Sequence, residues 1–302
     1  MRSFKEFFSR RNIILFDGAM GSVLLLEDSS AFLPDTLSLE RPKLVESLHE
    51  AYLKAGCDVI ETNSFNSNPI SFKNFRIEED AFKCAKKAAK IAKKAAKIAK
   101  KAADNFSTPE RPRFVAGSIG PIFNKNKLLL NKRLLFEAFS VQISALLEGG
   151  ADLLIFETML DIIQLNSALE AVVKIAEDIP VIVSVSGENG ITHTGTPFEE
   201  IVCEMSKHNL LAFGLNCEDL ATITEDIEII KKISSFPLIV MPNPELPGKT
   251  EGKSLYKINP NEFAGKMTEI IRKYDPKIVG GCCGTTPFHI NVLAEKIISG
   301  KH

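Results

Sequence analysis

The stretch "IVGGCCGTTPFHINVLAEKII", residues 278–298, holds a strand end, a loop and a helix start in close succession. Ile278 and Val279 are apolar on both sides, as in a buried parallel strand. Glycines 280, 281 and 284 interrupt strand geometry around Cys282 and Cys283. Thr286 then offers a helix cap, and Pro287 suits the first helical position, where its missing N–H costs nothing. Strand, loop and helix in that order make one unit of a parallel α/β fold.

The unit recurs along the chain. Short apolar, often β-branched runs lie at 13–16, 58–61, 114–118, 152–157, 181–185, 212–216, 238–241 and 278–281. Helical stretches lie between and after them, at roughly 42–55, 79–103, 132–148, 161–177, 198–208, 219–234, 260–274 and 288–299. "TPFEE" (196–200) offers a second Thr–Pro helix start. Strict alternation over this length predicts a single (β/α)₈ barrel spanning 1–302. A doubly wound open sheet is the alternative. Its G-x-G-x-x-G turn after the first strand is not matched by "DGAMGS" (17–22).

Composition narrows the classes further. The 302 residues are 45% hydrophobic and 25% charged, with a net charge of −1. Such a balance gives ample core and no global field for nucleic acid or an acidic membrane. No apolar run approaches the roughly 20 residues of a membrane span. "MRSFKEFFSRRN" lacks the long apolar region of a secretory signal, and its phenylalanines are expected to pack on the domain. Six scattered cysteines, at 57, 84, 203, 217, 282 and 283, point to reduced thiols and a cytoplasmic protein. "AKKAAKI" occurs at 85–91 and again at 92–98, predicting a lengthened helix over about 79–103. A seven-residue repeat shifts the helix face by only about 20°, so the Ala/Ile stripe stays inward and the lysines form a solvated face.

In a barrel, chemistry sits at the C-terminal ends of the strands. Cys217 ends the sixth run, and Cys282 and Cys283 end the eighth. Adjacent cysteines rarely bond to each other, so they are either small buried side chains or two ligands of one metal. Glycines on both sides and a third cysteine at a nearby strand end favour the metal. Three thiolates with one open position describe a catalytic zinc. Such a centre carries net charge −1 and is a weak Lewis acid toward water, which favours alkyl transfer over hydrolysis.

In order, "FDGAMGS" (16–22), "ETNSFNS" (61–67), "FETMLD" (156–161), "GLNC" (214–217), "MPN" (241–243) and "VGGCCGTTP" (279–287) resemble the homocysteine S-methyltransferase family over nearly the whole chain. Within that family the motifs look most similar to the homocysteine-binding module of cobalamin-dependent methionine synthase. The resemblance implies a (β/α)₈ barrel and one zinc held by Cys217, Cys282 and Cys283. It implies that Asp17 and Glu157 receive the ammonium group of homocysteine. Backbone N–H groups of Gly18 and Ala19, with Thr62 beside them, are the candidates for its carboxylate. Asn243 is a candidate fourth zinc ligand in the absence of substrate, or an ordinary turn residue. Asn216 reads as a residue that shapes the turn, His193 as a loop histidine and His289 as a first-turn helix residue.

The methyl donor is less constrained. Betaine enzymes bind a quaternary ammonium in an aromatic cage. This chain has no Trp, its tyrosines (52, 256, 274) lie off the strand ends, and Asn66 and Thr158 stand where betaine enzymes have tyrosines. A methylcorrinoid (methylcobalamin), supplied free or on a separate protein, is the expected donor. S-methylmethionine or S-adenosylmethionine is the alternative. The loop "GPIFNKNKLLLNKR" (120–133) departs from the polar loop of the full-length synthase. A non-enzymatic zinc or thiol-amino-acid sensor is the alternative of another class, and the complete set of site residues argues against it.

Overall fold

The computed structural model describes residues 3–28, 33–75, 80–123, 131–244, 248–250, 253–255 and 259–300. Parts of the sequence reading lie outside the described residues: 79, 124–130, 245–247 and Tyr256. Eight parallel strands form the centre: β1 (Ile14–Leu15), β2 (Val59–Glu61), β3 (Phe114–Ile119), β4 (Leu153–Met159), β5 (Val181–Val185), β6 (Ala212–Asp219), β7 (Leu238–Asn243) and β8 (Ile278–Val279). Their order is β1-β8-β7-β6-β5-β4-β3-β2. At the remaining seam, the Asp58 N–H donates to the Leu15 carbonyl at 2.7 Å, and the Leu15 N–H donates to Asp58 Oδ2 at 3.1 Å. A side chain thus supplies a bond that two very short strands lack, and the expected barrel is formed.

The strands have two apolar faces for a simple reason. Alternate residues point into the barrel or out toward the helices. Ile14, Phe16, Val59, Phe114, Leu153, Ile155, Ile182, Ile239 and Ile278 fill the interior. Leu15, Ile60, Val115, Leu154, Phe156, Val183, Phe213, Val240 and Val279 belong to the larger core beneath the helices. Both faces are buried, so the sequence shows runs rather than alternation.

The first helix, α1 (Phe4–Arg10), closes the N-terminal end of the barrel. Ser3 and Glu6 form a reciprocal capping box. Phe4, Phe7 and Phe8 are buried in the interior cluster, with the Phe4 and Phe7 rings 5.2 and 5.0 Å from that of Phe114. The expected packing of the N-terminal phenylalanines is therefore present.

Eleven further α-helices follow among the described residues: α2 (Gly21–Glu27), α3 (Leu37–Glu40), α4 (Pro42–Ala55), α5 (Pro69–Asn74), α6 (Ala81–Phe106), α7 (Lys132–Gly149), α8 (Ile162–Ala176), α9 (Phe198–Met205), α10 (Ile223–Ile233), α11 (Pro260–Tyr274) and α12 (Pro287–Ile298). None is long and apolar enough to cross a membrane. Pro287 opens α12 as expected, but Pro197 stands just before α9. The helix begins at Phe198, so Pro197 holds the capping position and Thr196 lies one residue too early to cap it. Two short hairpins, Gly187–Glu188 with Ile191–Thr192 and Gly248–Thr250 with Lys253–Leu255, escaped the sequence reading because each strand is too short to show periodicity.

The repeat helix α6 buries Ala88, Ile91, Ala92, Ala95, Ala96, Ile98, Ala99, Ala102 and Ala103. Lys83, Lys86, Lys90 and Lys97 are exposed. Lys93, Lys100 and Lys101 reach Glu148, Asp152 and Glu46 at 2.7, 2.9 and 2.6 Å. Helix α7 crosses closely at Gly149, where an added Cβ would stand 2.5 Å from Ala96 Cβ and 2.7 Å from the Lys93 carbonyl. Gly149→Ala should therefore force the helices apart and destabilise the protein by about 1–3 kcal/mol. A denaturant midpoint unchanged from the parent would refute this packing.

Candidate active site

Three sulfurs gather beyond the strand ends. On β6, Asn216 points inward and its neighbour would ordinarily point away. The pairing with β7 shifts register between Asn216 and Asp219, and Cys217 adopts a left-handed φ of 62°. That conformation is uncommon for a residue with a Cβ and costs of order 1–2 kcal/mol. It turns the Cys217 thiol toward Cys282 and Cys283, which follow β8 in a loop that Gly284 completes at φ 82°. All three Sγ atoms lie within 4.8 Å of one another, with Cys217 and Cys283 at 3.9 Å. A tetrahedral zinc with sulfur bonds of about 2.3 Å requires sulfurs about 3.8 Å apart.

Other groups fit an ion there. Asn243 Nδ2 donates to the Cys217 carbonyl at 3.0 Å, while its Oδ1 is buried without a partner. The Cys217 thiol is pushed up to about 12: the hydrogen bond with Cys282 lowers it, but the bond with Cys283 and burial outweigh that. Cys282 is likewise raised by both neighbouring thiols and by burial. A bound dication would reverse this balance.

The same cavity, of about 330 Å³, reaches the thiols and three buried acids, Asp35, Glu61 and Glu157. No lysine, arginine or histidine lines it among the described residues. Glu157 is held at both oxygens, by the Ser118 hydroxyl at Oε1 and by the Asn216 amide at Oε2, 3.4 Å away. Asp17 is fully buried and is not among the cavity-lining residues. Its Oδ2 accepts the Glu61 N–H at 3.0 Å, and its Oδ1 has no partner. Glu61 Oε1 also lacks a partner. Burial raises Asp17, Glu61 and Glu157; Glu157 reaches about 7, against the opposing bond from Ser118 and with a further rise from Cys283. Glu61 was missed in the sequence, although a charged residue ending a buried apolar run is the signal that singled out Glu157.

The proposed carboxylate donors are placed differently. Gly18, Ala19 and Thr62 line the cavity. The Ala19 N–H, however, donates to the Thr285 carbonyl at 2.9 Å, so it is not free for a ligand. The Thr62 hydroxyl accepts the Ser118 N–H at 3.0 Å and lies 2.6 Å from the Ser64 hydroxyl, which donates to the Ser118 carbonyl at 2.8 Å. The Thr62 proton is thereby directed to Ser64. Both groups tie loops together instead of offering donors. Gly18 packs so closely that an added Cβ would stand 2.8 Å from the Thr285 carbonyl.

Two residues have larger parts than the sequence indicated. Tyr52, buried on α4, places its hydroxyl 2.8 Å from both the Ala19 and Thr285 carbonyls, joining the loops after β1 and β8. Asn216 does more than shape a turn. Its Oδ1 accepts from the Thr158 N–H and the Ser184 hydroxyl at 2.8 and 2.9 Å, and its amide reaches Thr158, Glu157 and Cys282. Asn66 and Thr158 both line the cavity. His193 stays in an exposed loop, 3.3 Å from the Ser186 hydroxyl, and His289 accepts the Thr286 N–H within the first turn of α12.

Residues 14–297 match the homocysteine S-methyltransferase family. The chain belongs to that family. Curated relatives include the methionine synthases of Mycobacterium leprae (strain TN), 31% identical over 303 residues, and of Mycobacterium tuberculosis (strain ATCC 25618 / H37Rv), 30% identical over 307 residues. These alignments cover 95% and 96% of this chain but only 24% and 25% of the relatives, so the chain spans about a quarter of their length. Among solved structures, the metallated form of the homocysteine methyltransferase MmuM from Escherichia coli shares the fold. Its TM-score is 0.80 at 21% identity, covering 97% of this chain and 99% of that one.

A family site crowded with acids has a cost in stability. The folded protein keeps a proton on Glu157 up to about pH 7, whereas the unfolded chain releases it near the usual glutamate value of about 4.3. The contribution is complete below the unfolded value and is lost as pH rises through the folded one. Substrate-free protein should melt at lower temperature as pH rises from about 5 to about 8. Glu157→Gln should flatten that dependence; equal slopes in thermal melts of both proteins would contradict it.

Proposed function

We propose that this chain is a zinc-dependent homocysteine S-methyltransferase that methylates homocysteine to methionine. The observation that carries the reading is one cavity bordered by three convergent thiols and by buried acids with no protein cation among them. Homocysteine has the complementary pair of groups, a thiol and an ammonium.

Cys217, Cys282 and Cys283 would hold the zinc, with Asn243 Oδ1 as the fourth donor when substrate is absent. The ion supplies positive charge that favours the deprotonated substrate thiol. Glu157, backed by Asp17 behind the wall, attracts the ammonium and so aims the sulfur end at the cysteines. The Gly18 backbone borders the position of the substrate carboxylate. The substrate sulfur then forms a bond to the methyl carbon as the donor–methyl bond breaks, its electron pair staying with the donor. The thiol proton leaves to solvent.

A methylcorrinoid is the proposed donor, carried by another domain or chain or supplied free. Phe123 lines the cavity, and Leu26, Ile163, Ile191 and Phe288 are further exposed apolar side chains on segments that follow strand ends. Exposed apolar surface on segments that follow the strand ends suits a large donor better than a small sulfonium ion. The free cysteines agree with a reducing compartment such as the cytoplasm.

Methyl transfer to homocysteine should be assayed in parallel with methylcobalamin, S-methylmethionine and S-adenosylmethionine. Turnover with methylcobalamin alone is expected. Turnover with a sulfonium instead reassigns the donor, and none with any donor, despite bound homocysteine, favours a sensor. Metal analysis should show Cys217→Ala and Cys283→Ala losing zinc and activity together, and full zinc retention in both would remove the ligand assignment. Glu157→Gln should keep zinc and weaken homocysteine binding by about 1.5–3 kcal/mol, as read by titration calorimetry, and Asp17→Asn, behind the cavity wall, should keep zinc and weaken binding less.

A further inference from the structure

We propose that Phe123 is the donor-contact residue of the site: its ring meets the corrin macrocycle and seats the donor's methyl group over the cavity. This rests on the methylcorrinoid reading above and names a residue for it. Among the described residues that border the cavity, Phe123 is the exposed one, at 47%. The other aromatic there, Phe65, is packed: a Cβ added to Gly120 would stand 2.4 Å from its ring.

A single exposed apolar side chain is ordinary on a protein surface. Phe123 is set apart by its place on the cavity and by the way its backbone is held. Gln164 on α8 grips the residue before it. The Gln164 Oε1 accepts the Ile122 N–H at 2.7 Å, and its Nε2 donates to the Ile122 carbonyl at 3.3 Å. Asp161 fixes Gln164 in turn, accepting its backbone N–H at Oδ1 and its side-chain amide at Oδ2, both at 2.8 Å. From the other side, the Asn74 amide at the end of α5 donates to the Phe123 carbonyl.

Two side-chain amides thus continue the support that strand pairing gives β3 as far as Ile119. Ile122 is buried and anchors the segment, while the ring of its neighbour is left in the open. A ring on backbone fixed in this way loses little freedom when a ligand covers it, which makes it an effective anchor.

Size selects the ligand. A cavity of about 330 Å³ is at the small end for a drug-sized molecule, and homocysteine has to fit in it as well. A corrin macrocycle is far larger, so it stays at the mouth and only its methyl group reaches in. Its ring is largely hydrocarbon, a surface that an aromatic side chain covers well. S-methylmethionine is small enough to enter whole and offers no such surface.

Zinc-loaded wild type, Phe123→Ala and Phe123→Tyr should be compared in three measurements. These are calorimetric titration with homocysteine, methylation of bound homocysteine by methyl iodide, and methyl transfer from free methylcobalamin. Methyl iodide needs only the activated sulfur, which bonds to the methyl carbon as iodide leaves. In Phe123→Ala, kcat/KM for methylcobalamin should fall about tenfold through a raised KM. Homocysteine affinity and the methyl iodide rate should stay within about twofold of wild type. Phe123→Tyr, which keeps the ring, should retain most of the methylcobalamin activity. An unchanged kcat/KM for methylcobalamin in Phe123→Ala, or an equal fall with methyl iodide, overturns the role of Phe123 alone. Turnover of wild type with a sulfonium and none with methylcobalamin overturns the donor reading itself.

Discussion

Neighbouring side chains on a strand diverge, and this limits any site that needs three sulfurs within reach of one ion. The chain meets the limit by breaking two strands at their ends. Strand β8 is only two residues long, so Cys282 and Cys283 sit in a loop with freedom to turn together. Strand β6 is longer, and there the break is the left-handed backbone at Cys217. That local strain is tolerated because its surroundings hold it: Asn243 binds the Cys217 carbonyl, and Asn216 is fixed at both ends of its amide. The barrel supplies rigid strand ends, and the cross-tied loops convert them into a site.

The opposite wall has its own constraint, which is charge. Three acids share a buried region, and burial raises each of them. Such a wall is unfavourable in the empty protein and becomes favourable when a cation enters. Stability is given up where binding needs it, a pattern expected of a preorganised site. Asn216 connects the two walls, since one amide touches Glu157 and Cys282.

Much of this was legible in the sequence, for identifiable reasons. Alternating apolar runs and helices predicted the barrel because strands buried on both faces leave that trace. The three cysteines were legible because cysteine is scarce and glycines flanked two of them. Glu61 and the hub role of Asn216 were not recognised, since each lies inside a motif whose other residues drew the reading. The engagement of Ala19 and Thr62 could not be read at all. Both make bonds to residues distant in sequence, Thr285 and Ser118, and only the folded loops bring those together. Tyr52 was set aside as lying off the strand ends, yet its hydroxyl reaches two site loops from the helix behind them.

The plug formed by α1 bears on traffic through the molecule. Phe4, Phe7 and Phe8 join Ile14, Phe16, Leu153, Ile155, Ile182 and Ile239 in one packed cluster, so the described residues leave the cavity no passage to the N-terminal end of the barrel. Under the proposed chemistry, substrate enters, donor approaches and methionine departs by a single doorway. A large donor seated at the mouth would shut that doorway behind the substrate. Homocysteine then has to bind before the donor, and methionine has to wait for the demethylated donor to leave. Under that proposal the order of the reaction would follow from the packed interior of the barrel, floored by three phenylalanines far from the chemistry.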